Sequence, residues 1–358
     1  MEGLRTPEDW GEEYRRNFSA YLSYKDKLRG LLVELLHANG LDFDNVEGRP
    51  KTVESFINKI KRDPSKYANP LEDISDLVGL RVITYYRETV SRIGGMIEKE
   101  FEVNWDKSER KMDILDPDQF GYLSDHYVVK LSESRKSLVE WKDFADLNAE
   151  IQVRTVLQHA WASISHKLQY KSEVEVPKDL RRQLNSLSAL MEVADSYFSD
   201  LRNRTETLID SYKNGFRTGD LDVELNSNSI ELYATSKALH SKWIPIAEKT
   251  GFESLEESEQ VTRVSMGVLL RILSMIGLEK IKDLDEILRG ADSWGEKVLE
   301  HVHNISKEEE CICYAVLYDI ITLFAMYARR TVVDEEIISE TKFNAGMLRA
   351  IREFDAIT

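Results

Sequence analysis

Four short stretches of the chain carry polar groups that a folded core does not require. In "GRPKTVESFINK" (48–59) a glycine-led loop runs into a helix start, with Arg49, Lys51, Ser55 and Lys59 at its mouth. Backbone N–H groups, the helix dipole and point charges converge there, which is phosphate-binding chemistry; the plainer reading is a set of solvated surface lysines. In "DISDLVGLRV" (73–82) Asp76 precedes an apolar run and Arg81 lies within it. An arginine among β-branched residues is costly unless its head is paired, meets a ligand, or reaches a solvated edge. In "FGYLSDHYVV" (120–129) Gly121 admits a close backbone approach, and Tyr122 and His126 flank the turn into a strand. Tyr122 offers a ring face to a nucleobase, or else is a core tyrosine beside a capping histidine. In "AEIQVRT" (149–155) strand alternation sends Ala149, Ile151 and Val153 to one face and Glu150, Gln152 and Arg154 to the other. Two carboxylates at strand ends, Asp76 and Glu150, can share Mg²⁺ while the cations hold a polyphosphate against it.

The elements that must position these groups follow from periodicity. Thr6-Pro7-Glu8-Asp9 reads as a helix cap, a proline at the first helical position and acids in the first turn. Trp10, Tyr14, Tyr21, Leu28, Leu32 and Leu35 continue that helix until Gly40 closes it. A short loop, "DNVEGRPK", then leads to a second amphipathic helix from about Val53 to Lys61, ended by Pro64. "LRVITYY" (80–86), "HYVVKL" (126–131) and "AEIQVRT" (149–155) read as strands, and "TVSRIGGMIEKEF" as a helix despite its glycines.

This predicts an α/β fold, a mixed β-sheet flanked by helices, of about 170 residues. A long helix from roughly Lys178 to Tyr212 leads away from it. The glycine, serine and asparagine rich break at 213–229 separates it from segments that nearly all read as helix, so the boundary is expected near residue 220. We therefore divide the chain into an N-terminal helical segment (1–44), a core (45–175), a connecting helix (176–215) and an all-helical C-terminal domain (220–358). In that domain Tyr314, Tyr318, Leu323 and Tyr327 read as a core stripe.

Composition narrows the partners. The net charge of −16, roughly −10 of it after residue 215, argues against duplex DNA and leaves only local basic clusters to bind anions. The two cysteines, Cys311 and Cys313, lie in an apolar run that reads as helix, without the spacing of a zinc site, and read as core thiols. No apolar run is long enough for a membrane span, and a reducing cytoplasm fits.

In order, G-R-x-K-x-x-x-S, D-x-x-G-x-R-V, G-Y-x-S-x-H and E-I-Q-x-R-T, with W-A and H-x-L-x-Y-K downstream, resemble the synthetase domain of the RelA/SpoT alarmone synthetases over about residues 45–172. The resemblance implies a nucleotidyltransferase-like fold that moves the β,γ-pyrophosphate of ATP to the ribose 3′-hydroxyl of GDP or GTP. It implies that Arg49, Lys51, Ser55 and Lys59 hold the ATP phosphates and that Arg81 lies on the adenine. Asp76 and Glu150 would bind Mg²⁺, with Glu150 also activating the acceptor hydroxyl. Tyr122 would stack on the acceptor guanine beside His126, Gln152 and Arg154, with His159 on the same side. No H-D dipeptide occurs, so the family's hydrolase activity is expected to be absent.

The chain departs from the family pattern at Leu123, Asp125, His159 and Ser165, all on or near the acceptor side. Two further readings therefore stay open. One is a toxic relative that pyrophosphorylates adenine nucleotides or the 3′ end of tRNA under control of the helical domain; the other is a nucleotide-sensing scaffold. The helical domain itself can serve homo-oligomerisation or receive a protein regulator.

Overall fold

The computed structural model describes residues 5–110, 124–170, 178–256, 258–330, 332–341 and 343–357. The chain divides into two compact units, Met1–Asn203 and Arg204–Thr358. The first unit contains α1 (Pro7–Arg16), α2 (Phe18–Ala38), β1 (Asn45–Pro50), α3 (Val53–Arg62), α4 (Pro70–Asp73), β2 (Val78–Thr84), α5 (Arg87–Glu100) and β3 (Phe101–Val103). It continues through β4 (Asp125–Leu131), α6 (Glu133–Lys136), β5 (Ala149–Thr155), α7 (Val156–Tyr170) and the start of α8 (Lys178–Thr218).

The five strands order β1-β2-β5-β4-β3, with β2 and β5 parallel and the other neighbours antiparallel. The expected mixed sheet is thus present. One face carries Val46, Leu80, Val82, Ile151, Val153, Tyr127 and Val129, all at most 2% exposed and in one cluster with Leu28 and Leu32 of α2 and Ile93 and Ile97 of α5. Burying one face so completely fixes the register, because a slip of one residue would send every side chain to the opposite face. The other face is thereby committed to the polar residues.

Three local expectations change. The "DNVEGRPK" loop is largely strand β1, paired from Asn45↔Ile83 to Pro50↔Val78. Only Val46 of its six residues is buried, so no alternation announces it, and Pro50 is tolerated because β1 is a sheet edge. The first helix is broken at Asn17, whose backbone (φ −94°, ψ 3°) leaves helical geometry between α1 and α2. The cysteine run is not helical: Cys313 O accepts from Glu253 N at 2.8 Å and Ala315 N donates to Glu253 O at 2.9 Å, so this segment pairs in extended form before the next helix starts at Leu317.

The second unit, which takes the end of α8, is helical: α9 (Ser227–Ser236), α10 (Leu239–Lys249), α11 (Glu259–Met275), α12 (Ile281–Glu308), α13 (Leu317–Ala328), α14 (Glu335–Glu340) and α15 (Ala345–Arg352). Ile320, Ile321, Leu323, Phe324, Ala325 and Met326 of α13 are all fully buried, as expected for a helix apolar around its whole circumference. Tyr318 and Leu323 are core residues, whereas Tyr314, on the extended segment, is 42% exposed. Cys313 is buried and Cys311 half-buried. Among the described residues no helix is long and apolar enough to cross a membrane.

Candidate active site

Lys51, Thr52 and Ser55 stand where β1 leaves the sheet and α3 begins. Thr52 caps α3: its hydroxyl oxygen accepts from Ser55 N at 3.2 Å, and the same hydroxyl donates to Ser55 Oγ at 2.7 Å. The backbone here is clamped from below by Tyr14, fully buried on α1. Its hydroxyl donates to Lys51 O at 2.8 Å and lies 3.3 Å from Leu77 O, while its ring stacks on Phe56 at 4.6 Å. Burial pushes the Tyr14 phenol well above its usual range, so it remains a donor. Helical periodicity marks the burial of Tyr14, but nothing local in the sequence marks its hydroxyl's target.

Register places the polar face. Glu47 opposes Arg81 across β1 and β2, Arg81 opposes Gln152 across β2 and β5, and Gln152 opposes His126 across β5 and β4. These four form one row across four strands. In the next row Gly79 lies between Arg49 and Glu150. A cleft of about 340 Å³ opens over this face, lined by Glu47, Arg49, Lys51, Ser55, Asp76, Arg81, Glu150 and Gln152 together with the β1–α3 backbone.

Charge is compensated inside the cleft. Asp76 accepts from Lys51 Nζ at 2.5 Å and from Lys59 Nζ at 2.8 Å. Burial pushes its carboxyl up, but the hydrogen bonds and charges of the two lysines prevail and hold it below the usual carboxylate range. Glu150 Oε1 lies 3.1 Å from His126 Nδ1, and its Oε2 accepts from Gln152 Nε2 at 3.3 Å. Burial again acts upward; the His126 hydrogen bond and charge, aided by Gln152, outweigh it together with the opposing effect of Asp76 and hold Glu150 low. An ionised carboxylate only accepts, so Nδ1 donates to Glu150, while Nε2 lies 2.8 Å from Ser124 Oγ. Ser124 thus joins the site through His126, a contact that residue type and spacing alone do not mark.

Arg81 Nε donates to Gln152 Oε1 at 3.4 Å and its Nη1 lies 3.8 Å from Glu47. Arg154, 5% exposed, donates through Nη2 to the same Gln152 oxygen, and its buried Nε has no partner among the described residues. Burial first and the Arg81 charge second push its guanidinium down to about 10. His159 stands half-buried on α7, where burial and then the Arg154 charge push its imidazole below the usual range.

Eleven of the twelve expected site residues are described. Arg49, Lys51, Ser55, Asp76, Arg81, Glu150 and Gln152 share the cleft; Lys59, His126 and Arg154 reach it through Asp76, Glu150 and Gln152 respectively. His159 stands behind Arg154 and does not line the cleft. Tyr122 and Leu123 lie outside the described residues. Asp125 is buried on the apolar face, opposite Val153.

Asp76 and Glu150 also pass the test for Mg²⁺. They are two hard oxygen donors, both favoured in the ionised form, in one cleft with Arg49, Lys51 and Arg81. Among the described residues no group of three or more His, Cys, Asp or Glu side chains is placed to hold a metal. Mg²⁺ needs no such cage, since it takes one or two carboxylates and completes its shell with substrate phosphates and water.

The His126 contact yields a direct expectation. His126→Ala removes the largest downward influence on Glu150, so the Glu150 carboxyl, held below the usual carboxylate range, should move upward. Carbon-13 NMR of the glutamate side chains, assigned against Glu150→Gln, measures this; an unmoved midpoint would mean that His126 does not stabilise the ionised form.

Residues 48–175 match the family model described as "Region found in RelA / SpoT proteins". The chain is 26% identical over 212 residues to GTP pyrophosphokinase YwaC of Bacillus subtilis (strain 168), covering 58% of this chain and 97% of that protein. It is 27% identical over 168 residues to GTP pyrophosphokinase YjbM of the same organism, covering 45% and 72%. Among solved structures, small alarmone synthetase 1 from Bacillus subtilis aligns with a TM-score of 0.47 at 23% identity, covering 55% of this chain and 99% of that one. A GTP pyrophosphokinase family protein from Streptococcus pneumoniae aligns at 0.45 and 25%, covering 56% and 95%.

Proposed function

We propose, from the premise that residues 48–175 form a RelA/SpoT-family synthetase domain, that this protein transfers the β,γ-pyrophosphate of ATP to the ribose 3′-hydroxyl of GDP or GTP, making guanosine tetra- or pentaphosphate. The observation that carries this reading is the convergence of Lys51, Lys59, Arg49 and Arg81 with two carboxylates held ionised, Asp76 and Glu150, at one cleft. The two curated relatives named above are both GTP pyrophosphokinases, which favours a guanine acceptor.

In this reading the acceptor 3′-oxygen bonds to the β-phosphorus of ATP, the bond from that phosphorus to the α,β-bridging oxygen breaks, and AMP leaves. Such transfer needs little covalent help and depends on positioning and charge neutralisation. Arg49, Lys51, Ser55 and Lys59 bind the donor phosphates, and Arg81 lies against the adenine. Glu150, oriented by His126 and Gln152, accepts the hydroxyl proton. Asp76 and Glu150 would hold Mg²⁺, which when bound supplies neutralisation of phosphate charge. Gln152 and His126, with Arg154 behind them and His159 beyond, shape the acceptor side.

Incubating the purified protein with Mg²⁺ and γ-labelled ATP, with GDP, GTP, AMP, ATP or deacylated tRNA offered in parallel, tests the reading. Label should move to GDP or GTP and not in the Glu150→Gln variant. Transfer only to tRNA or an adenine nucleotide would replace the guanine acceptor, and no transfer to any would overturn the activity.

A further inference from the structure

Tyr14 joins the two segments that carry opposed charges into the cleft. Lys51 stands between β1 and α3, and Asp76 stands in the turn before β2. The Tyr14 hydroxyl donates to Lys51 O at 2.8 Å and lies 3.3 Å from Leu77 O, which also accepts from Lys51 N at 2.8 Å. One oxygen on α1 thus meets both the backbone that carries the lysine and the backbone beside the carboxylate. The same two segments are tied a second time through side chains, by Lys51 Nζ on Asp76.

The two ties differ in what a substrate can break. If the cleft transfers pyrophosphate, incoming phosphates draw Lys51 away from Asp76, and the side-chain tie is given up as the reactants bind. The backbone tie offers no charge for which a substrate competes. We propose that Tyr14 is a positioning residue for pyrophosphate transfer, its hydroxyl keeping the Lys51 and Asp76 segments in fixed relation once their ion pair opens. This inference rests on the transfer reading of the same cleft.

The surroundings make the hydroxyl a fixed point. Tyr14 is fully buried; its ring stacks on Phe56 of α3 at 4.6 Å and meets Phe18 edge-on at 5.9 Å. Helix α1 lies so close on α3 that a Cβ at Gly11, about one turn before Tyr14, would stand 2.5 Å from Ile57 Cδ1. Glu8 of α1 accepts from Lys61 Nζ of α3 at 2.6 Å. A phenol already held on these sides gives up little further rotamer freedom in making its hydrogen bond. Without the hydroxyl, the two carbonyls lose a donor that phenylalanine cannot supply, and their segments can shift toward other partners.

Tyr14→Phe deletes that oxygen and keeps the ring. With γ-labelled ATP as donor and GDP or GTP as acceptor, its kcat should fall by about 10–100-fold, since a misplacement of about 1 Å suffices for such a loss, while equilibrium binding of ATP stays close to native. Tyr24→Phe is the control: Tyr24 is as fully buried on α2, and its hydroxyl donates to Leu147 O at 3.4 Å, outside the cleft, so kcat should be unchanged. A native kcat in Tyr14→Phe, or an equal loss in Tyr24→Phe, would overturn the proposal. Amide hydrogen exchange gives a readout independent of activity. The Lys51 amide of the native chain should exchange as slowly as the amides of β2 and should speed up selectively in Tyr14→Phe. Fast exchange of that amide in the native chain overturns the clamp even if the variant does not fold. A native chain that transfers no label overturns the transfer reading and this inference with it; a native chain and a Tyr14→Phe chain that transfer equally well overturn this inference alone.

Discussion

Asp76→Asn and Glu150→Gln should each lower the pyrophosphate-transfer turnover by about three decades or more while leaving the protein folded, a barrier increase of about 4 kcal/mol. The two losses should differ in kind. Asp76 is the anion that Lys51 and Lys59 hold between them. Converting it to an amide releases both ammonium groups, so ATP binding should hold or tighten while turnover falls. Among the described residues Glu150 has no lysine partner; it is held by His126 and Gln152. Its substitution should leave donor affinity unchanged and remove the proton acceptor. Steady-state kinetics alongside equilibrium binding of ATP separates the two, and donor affinity lost in step with turnover in Asp76→Asn would sink the charge-exchange account.

The same lysine contacts give Asp76→Asn a pH signature. A carboxyl whose pKa is lower folded than unfolded stabilises the native state fully above its ordinary value of 3.8 and loses that contribution as pH falls through the folded value. The stability difference between native protein and Asp76→Asn, followed by urea titration from neutral pH downward, should therefore be constant to about pH 4 and shrink below it.

Gly94→Ala should destabilise the first unit by about 1–2 kcal/mol, a drop of several degrees in its thermal midpoint. A Cβ at Gly94 would stand 2.2 Å from the Tyr127 hydroxyl oxygen and 3.1 Å from Cζ. Tyr127 is 1% exposed, and its ring meets Trp105 edge-on at 6.4 Å, so it cannot swing clear cheaply. Alanine regains about 1 kcal/mol of helix propensity, and the overpacking must exceed that. Gly95 supplies the control, because its added Cβ meets nothing within 4 Å. Gly95→Ala should leave stability unchanged or raise it by up to about 1 kcal/mol. Combining Gly94→Ala with Tyr127→Phe should recover part of the loss. Calorimetry that finds the two glycine variants alike would refute the close-packing explanation. Tyr127 neighbours His126 on β4, so a displaced strand should also lower turnover.

Much of the site was legible because its logic is local. The β5 alternation separated the two faces of Ala149 to Gln152, and the structure buries Ala149, Ile151 and Val153 while turning Glu150 and Gln152 to the cleft; Arg154, on the polar face by alternation, is buried as well. The glycine-led loop and the cap of α3 depend on neighbours within a few residues, so Lys51 and Ser55 could be found from spacing. The same locality hid β1. Its strand character lies in backbone pairing with residues more than thirty positions away, and a stretch with one buried apolar side chain carries no mark of that.

The amino-acid sequence by itself determined the polar and apolar faces, the helix caps and the order of the chemical groups, since these follow from side-chain type and a period of two or 3.6 residues. Only the tertiary structure decided which groups meet. The Tyr14 hydroxyl on the Lys51 carbonyl, both lysines on Asp76, and the row from Glu47 to His126 join segments distant in the chain. Such pairings depend on register and on what else is buried, and those are properties of the packed chain that no local pattern encodes.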